Sequence, residues 1–343
     1  MLETIREFAR ELLAANGEED PLRERHGEYL LAWGEVAGRR LESAQERRWL
    51  QRVEQDLPNV RAVLGWLRDR GDLKEGLRLA AALGPFWLNA GYIIEGRRWL
   101  EEFLQAAATA EVAAPTRSAA LTWSATLAAE QGEARPEHAG AAAVIRRLEE
   151  ALALSREHDD TLGVLRALGW LVHVLMLHGD AKGAVALADE GITRCREEGD
   201  RWWLASFLYR ATLLAQIRGE HARAMALARE CVAVAREAGH GRMAARGVQA
   251  LAQLRSVAQP DRLDLVHAEL EEALGLAEAA GDTRQVATTL LDLAGTAVDL
   301  GDIPLAARWL LRALTLAPRI GSWGALTYSI SAASEIAHAR GDG

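Results

Sequence analysis

The chain has 343 residues, 50% of them hydrophobic and 26% charged, and a formal net charge of −9. This composition is that of a folded protein with a large core and excludes a disordered tail. Lys and Arg are interleaved with Asp and Glu, so the basic surface that nucleic-acid binding requires is missing. No run of about 18 uncharged apolar residues occurs, and the chain opens on charged helical sequence instead of a signal peptide. We therefore expect a cytoplasmic protein that contacts neither membrane nor nucleic acid directly.

Residues 1–70 show helical periodicity without a repeat and are predicted to form an N-terminal helical adaptor. The apolar spacing predicts helices over 2–15, 22–41 and 44–70. Pro58 is expected to start or kink the second half of the third helix. Met1 begins inside helical sequence with no capping residue before it, so we expect the chain to be a fragment of a larger protein.

Beyond residue 70 the sequence repeats with a period of about 40 residues. Turn-forming pairs recur at this interval at Gly179-Asp180, Gly219-Glu220, Gln259-Pro260, Gly301-Asp302 and Gly341-Asp342. A second set of turns falls halfway between them, so each period holds two helices. Glycine suits the left-handed residue after a helix, and Asp suits the next N-cap. Because one helix pair cannot bury its apolar face alone, the pairs must stack and share a core.

The repeats are predicted to extend over 71–343 as one superhelical domain. The helices expected from residue 161 onward cover 161–178, 181–198, 201–218, 221–238, 242–258, 262–280, 283–300, 303–320 and 323–340. Gly132 and Gly179 are 47 residues apart, about seven more than one period. The excess falls in the Pro- and Gly-containing stretch 133–140, where we expect an inserted loop.

The repeat pattern resembles tetratricopeptide repeats of the longer, roughly 40-residue kind. In that family a large residue, a Leu and a small residue recur in the first helix. A Gly and an acidic residue form the turn, and Ala, a large apolar residue, Ala and Pro follow. The best copy here supplies Leu290, Leu293, Ala294, Gly301-Asp302, Ala306, Leu310, Ala313 and Pro318. The resemblance implies an all-α fold, a right-handed α-solenoid of helix pairs behind the N-terminal adaptor.

The first hundred residues resemble a narrower group of proteins. The matching stretches are, in order, 1–9 (MLETIREFA), Arg25-His26 with Tyr29-Leu30, 54–66 (EQDLPNVRAVLGW) and 96–100 (GRRWL). They are similar to the segment that follows the ATPase and winged-helix modules in bacterial STAND-type signalling ATPases, including large LuxR-like and actinobacterial antibiotic-regulatory activators. In that family the repeat superhelix receives an inducer, an effector protein or autoinhibitory contacts, and so controls nucleotide-dependent oligomerisation of the ATPase.

The resemblance implies a sensor region whose partners are a protein or peptide, a small-molecule inducer, and an upstream ATPase module in the full-length protein. The ATPase itself is missing from this sequence. A phosphate-binding loop needs a lysine after a glycine-rich turn, whereas Lys74 and Lys182 lie in helical repeat sequence. No metalloprotease helix, nucleophile elbow or dinucleotide fingerprint occurs either. We therefore expect no enzyme activity and no cofactor.

Two alternatives to a sensor remain at this point. The solenoid could be a passive scaffold for protein assembly with no inducer ligand. With less support, it could be an all-α enzyme, which would need strongly perturbed titratable groups in a closed pocket.

Candidate ligand-binding residues follow from the resemblance, because in tetratricopeptide arrays the first helix of each pair lines the concave face. Counting back from each turn gives Arg166, His173, Met176, Ser206, Tyr209, Leu213, Gln216, Arg246, Gln249, Gln253, Thr288 and Leu291. Of the neighbours Trp202 and Trp203, one is expected to face this groove, since adjacent helical side chains point about 100° apart; we place Trp202 there. The mixture suits a peptide or a hydroxylated small molecule, although an idle polar groove would look similar.

The remaining residues of interest are given structural roles. Cys195 and Cys231 are expected to be buried thiols, because no Cys-x-x-Cys pair is present. His173 and His178 are five residues apart, a spacing that does not suit a shared metal ion, so no metal site is predicted. Core positions are expected for Trp49, Trp66, Trp87, Trp99, Trp123, Trp170 and Trp309.

Overall fold

The computed structural model describes residues 8, 11–13, 15–108 and 110–320, without the side chains of 317–320. In these ranges the chain is almost entirely helical and contains no strand, which confirms the all-α prediction. The helices are α1 Glu19–Leu41, α2 Glu46–Arg70, α3 Leu73–Ala82, α4 Gly84–Asn89, α5 Ile93–Ala106, α6 Ala114–Glu130, α7 Ala141–Glu157, α8 Thr161–His178, α9 Ala181–Glu198, α10 Arg201–Ile217, α11 His221–Ala238, α12 Gly241–Ala258, α13 Leu263–Ala280, α14 Thr283–Asp299 and α15 Ile303–Ile320. The helix predicted over 323–340, and most of the one predicted over 2–15, lie outside the described residues.

Helices α8 to α15 are the pairs that the repeat predicts, and their ends differ from the predicted ones by no more than one residue. Helix α10 packs on α11, α12 on α13 and α14 on α15. The first helices of successive pairs also contact one another, α10 with α12 and α12 with α14. The fold is therefore a tetratricopeptide-like stack of helix pairs.

Two prolines in the N-terminal part have different effects on the helices around them. Helix α2 continues without a break through Pro58, so no new helix starts there. The first helix of the first repeat is instead divided into α3 and α4, and Pro85 lies in the first turn of α4. Proline has no N–H with which to continue the hydrogen bonds of the preceding helix and is tolerated in a first helical turn, so the division falls just before Pro85.

Glycine and aspartate end and restart the helices, as predicted. Positive φ angles of 66° to 89° occur at Gly179, Gly199, Gly239 and Gly281, a conformation that glycine adopts without strain. Asp160, Asp180, Asp200 and Asp282 each accept a hydrogen bond from the backbone N–H three residues later, which confirms them as N-caps. Before α8, Asp159 stands where other turns have glycine, with φ of 52°. Asp adopts this conformation more readily than most residues.

The chain divides into two compact units. One consists of Met1–Glu133 and Arg146–Ala167, and the other of Ala134–Ile145 and Leu168–Gly343. The connection between α6 and α7, residues 131–140, is a series of turns without helix. The boundary after residue 70 stays a prediction.

Each unit packs large side chains against small ones. In the first unit Phe86 and Trp87 are fully buried, and Trp87 Nε1–H donates to the carbonyl of Ala80 at 3.0 Å. In the second, the missing side chain of Gly191 leaves room for the Phe207 ring. A large leucine and alanine cluster contains Leu270, Leu274, Leu290, Leu293, Leu310, Ala294 and Ala306. Among the tryptophans placed in the core, Trp49, Trp87, Trp99 and Trp123 are buried, and Trp66, Trp170 and Trp309 are half-buried.

Among the described helices, α8 is long and apolar enough to span a membrane by length and composition, with a mean hydropathy of 1.4. Half of that helix is buried inside the protein. Core helices of soluble proteins have the same properties, so α8 is weak evidence for a membrane segment.

Candidate ligand-binding surface

The predicted ligand-binding residues of the second unit lie on the first helices of its pairs, and we call them the A-helix surface. They are His173, Met176, Trp202, Ser206, Tyr209, Leu213, Gln216, Arg246, Gln249, Gln253, Thr288 and Leu291. Gln253 is exposed, whereas Ser206, Gln249 and Leu291 are buried and the rest are half-buried. Leu291 belongs to the apolar cluster of α13 to α15, so it contributes to the core of this unit.

Trp202 is the half-buried member of the tryptophan pair, while Trp203 is buried. The Trp202 ring stacks on the imidazole of His240, with centroids 3.5 Å apart and planes inclined by 5°. Nε2 of His240 lies 3.5 Å from the Ser206 hydroxyl. The imidazole is thus held between two residues of α10, although His240 itself precedes α12.

The protonation of His240 is governed by its surroundings. Burial, and then the positive charges of Arg246, Arg242 and Arg210, hold its pKa well below 6.5. The imidazole is therefore neutral at physiological pH. The Trp202 stack is a contact between two uncharged rings.

Asp282, in the turn before α14, contacts two arginines of α12. Its Oδ2 lies 2.8 Å from Nη1 of Arg242 and 3.3 Å from Nη2 of Arg246. Burial alone would raise the pKa of Asp282, but the two guanidinium groups lower it to about 2. Arg246 also lies over the Tyr209 ring, 5.9 Å from its centroid. Among the predicted surface residues, Tyr209 and Arg246 are thereby brought together.

A second polar network links α12 to α14. The side-chain amides of Gln249 and Gln253 both donate to Oδ2 of Asp292, at 2.6 and 2.7 Å. Gln285 Nε2 donates to Oε1 of Gln249 and to the Thr289 hydroxyl. Burial raises the pKa of Asp292 above 3.8, and the two amide hydrogen bonds oppose this shift. Gln249 and Gln253 therefore act together on one carboxylate.

The N-terminal side of the A-helix surface is aromatic and cationic. The imidazole of His173 meets the Trp170 ring edge to face, with centroids 5.8 Å apart and planes at 84°. The Arg210 guanidinium lies over the Trp170 ring, 5.3 Å from its centroid, and donates to the carbonyl of Ser206 at 3.0 Å. Across the described ranges, no three His, Cys, Asp or Glu side chains come together as metal ligands.

Arg166, the remaining predicted ligand-binding residue, lies in the first unit and is engaged by Glu42. Nε of Arg166 donates to both carboxylate oxygens of Glu42 at 2.9 Å, and Nη2 donates to Oε2. Burial alone would lower the pKa of this guanidinium, but Glu42 raises it above its usual value. Glu42 directly follows α1, so the pair fastens the N-terminal helices to α8.

Both cysteines are buried, as predicted. Burial raises the pKa of the Cys195 and Cys231 thiols to about 12. The thiol of Cys231 donates to the carbonyl of Ala205 at 3.3 Å. These are structural thiols that hold no thiolate at neutral pH.

Sequence reasoning missed His240 and Asp292 as members of the surface. His240 occupies a turn where other repeats have a capping aspartate, and that substitution was the available signal. Asp292 is one residue from the predicted Leu291. The polar positions Gln285, Thr289, Asp292 and Thr296 recur at helical spacing, which indicates a polar stripe on α14.

Comparison with known proteins supports this assignment of the fold. The family described as anaphase-promoting complex subunit 5 matches residues 120–178 and 196–255. Two mycobacterial proteins are 29% identical to the chain over 240 residues. They come from Mycobacterium tuberculosis and Mycobacterium bovis and are named as HTH-type transcriptional regulators. The match covers 67% of this chain and 26% of those proteins, so the chain spans about a quarter of the length of the curated relatives it matches.

Solved structures of tetratricopeptide-like proteins superimpose on the chain. A STAND signal-transduction ATPase with a tetratricopeptide-repeat sensor, from Pyrococcus horikoshii, has a TM-score of 0.58 at 14% identity, covering 98% of this chain and 51% of that one. The Rap conjugation gene regulator of plasmid pLS20 in complex with the Phr* peptide has a TM-score of 0.55 at 11% identity, covering 92% and 96%. The resemblance predicted from the sequence is thereby confirmed: the chain is a tetratricopeptide-like repeat array, and its relatives in sequence are bacterial proteins named as transcription regulators.

Proposed function

We propose that this chain is the non-catalytic sensor and protein-interaction region of a cytoplasmic STAND-type signalling regulator. In this proposal the A-helix surface binds a protein or peptide partner, or a small inducer, and an upstream ATPase module in the full-length protein responds. The supporting observation is the A-helix surface itself. There aromatic, amide and charged side chains of α8, α10, α12 and α14 keep partial exposure while hydrogen bonds hold them in place.

The alternative is a passive scaffold with no inducer ligand, and a ligand screen separates the two. Thermal unfolding of the chain is followed with a library of peptides, sugars and nucleotides. A specific ligand at 100 times its dissociation constant adds about 2.7 kcal/mol of stability. Stabilisation by one member of the library favours the sensor, whereas a library without effect favours the scaffold.

Variants of the A-helix surface then locate the binding site. Arg246 and Gln249 are tied to Asp282 and Asp292, so replacing them would disturb the fold together with the surface. Gln216→Ala, at the end of α10, removes a half-buried surface amide and should weaken binding about tenfold. Gln105→Ala removes an exposed amide of α5 and serves as the matched control. Equal affinity of both variants would reject the placement of the site on the A-helix surface.

A further inference from the structure

The carboxylate of Asp292 is fixed in one position on the A-helix surface. Its Oδ2 accepts hydrogen bonds from Gln249 and Gln253, which lie four residues apart on α12. Two donors from one helix that meet at one oxygen restrict both the rotation and the displacement of the carboxylate. Asp292 is half-buried, so its position is determined by the protein more than by solvent.

The amide of buried Gln249, which donates to Asp292, is itself held by a hydrogen bond. Gln285 Nε2 donates to Oε1 of Gln249, so the Nε2 group of Gln249 must point toward the carboxylate. Gln285 is buried and also contacts the Thr289 hydroxyl at 3.3 Å. The arrangement is thus supported from behind by a second set of hydrogen bonds, as in preorganised binding sites.

Asp282 and Asp292 differ in the groups that surround their negative charges. Asp282 lies between two arginines, whereas in the described part of the chain Asp292 is contacted by neutral amides alone. Partial burial of a carboxylate without a cation is unfavourable, and the raised pKa of Asp292 agrees with this. Both amides bind Oδ2, which leaves Oδ1 as a further acceptor.

We propose that Asp292 anchors a positively charged group, an ammonium or guanidinium, of a peptide bound on the A-helix surface. This inference rests on the proposed function. A cation at Oδ1 would compensate the charge and form a charge-assisted hydrogen bond. The exposed Gln253, which contacts Asp292, offers its carboxamide to the peptide main chain.

The test uses the 343-residue chain and a positional-scanning hexapeptide library with acetylated N-termini and amidated C-termini. Asp292→Asn keeps an oxygen for both glutamines and removes the charge. Asp299→Asn makes the same change at an exposed aspartate seven residues along α14 and is the matched control. A second library with free N-termini separates a side-chain cation from an N-terminal ammonium.

The wild-type chain is expected to select Lys or Arg at one peptide position, or a free N-terminus in the second library. Asp292→Asn should weaken binding of the selected peptide about 30-fold or more, with Asp299→Asn near wild type. Thermal unfolding should show Asp292→Asn at least as stable as wild type, because it removes an uncompensated charge.

Other outcomes overturn the proposal in distinguishable ways. Selection of peptides without a basic group, or equal losses in both variants, overturns the anchor and leaves peptide binding intact. Destabilisation of Asp292→Asn with unchanged affinity assigns the carboxylate a structural role instead. Binding of no peptide from either library overturns the anchor together with peptide recognition.

Discussion

Trp202 and His240 lie face to face, with ring centroids 3.5 Å apart and planes inclined by 5°. His240 occupies the turn position at which Asp200 and Asp282 cap the following helices, but its side chain makes no capping hydrogen bond. Its imidazole packs instead on α10, the first helix of the preceding pair. In this repeat a contact between neighbouring helix pairs therefore replaces the N-cap hydrogen bond.

His240 should make the chain lose stability as pH falls below about 6.5. Its folded pKa lies below the ordinary 6.5, because burial and the charges of Arg246, Arg242 and Arg210 disfavour the imidazolium. As pH falls below 6.5, His240 binds a proton in the unfolded chain but not in the folded chain, so stability is lost. The loss approaches about 1.4 kcal/mol for each pH unit until the folded pKa is reached.

Urea unfolding of wild type and His240→Phe at several pH values checks this expectation. Phenylalanine keeps a ring against Trp202 and cannot titrate, so the variant should lack the wild-type slope in this range. His221→Phe, at the first residue of α11, is the control and should keep the slope. An identical pH dependence of wild type and His240→Phe would assign the slope to other groups.

The helix pairs could be predicted because the residues that end one helix and start the next act locally. Gly-Asp turns such as Gly199-Asp200 combine a left-handed residue with an N-cap, and both effects depend only on adjacent residues. The division between α3 and α4 was not predicted, although Pro85 supplied its cause. Half-burial of Trp202 beside buried Trp203 likewise follows from helical geometry.

The contacts of the surface could not be predicted, because they join residues far apart in sequence. Arg166 meets Glu42 across 124 positions, and the period carries no information about this pair. Asp292 faces α12 because α12 and α14 pack together at one particular rotation. A count from the turn glycine placed the inward position one residue away, at Leu291. Side-chain partners depend on helix packing angles, which a repeat period does not specify.

Asp282 is expected to contribute more stability than its capping role requires. Asp282→Asn leaves Arg242 and Arg246 facing a neutral amide in a buried place, and Arg242 is only 6% exposed. Removal of one partner from a buried ion pair costs about 3 to 5 kcal/mol. The wild-type chain should also lose part of this stability as pH falls from 3.8 to about 2, since the folded carboxylate resists protonation.

The control for Asp282 is Asp302→Asn at the start of α15. Asp302 is an exposed cap that accepts from the N–H of Leu305 at 3.0 Å, and its loss should cost about 1 kcal/mol. Chemical denaturation of both variants measures the difference. Equal losses would show that capping accounts for the whole effect and that the arginine pairs contribute nothing.

Arg166 and Glu42 should couple the N-terminal helices to α8 energetically. The two side chains are 15% and 9% exposed, so Arg166→Met leaves a nearly buried carboxylate without its partner. We expect a loss of about 3 to 5 kcal/mol in the free energy of unfolding. The exposed pair Arg196 and Glu230 is the matched control, and Arg196→Met should cost at most about 1 kcal/mol.

A double-mutant cycle separates the Arg166 and Glu42 interaction from the packing of the arginine stem. Glu42→Leu with Arg166→Met replaces both charges by apolar groups, so the double variant should recover much of the stability that each single variant loses. Unfolding by urea gives the four free energies of the cycle. Strictly additive losses would mean that the two residues act independently. In that case the hydrogen bonds between them would not hold α1 to α8.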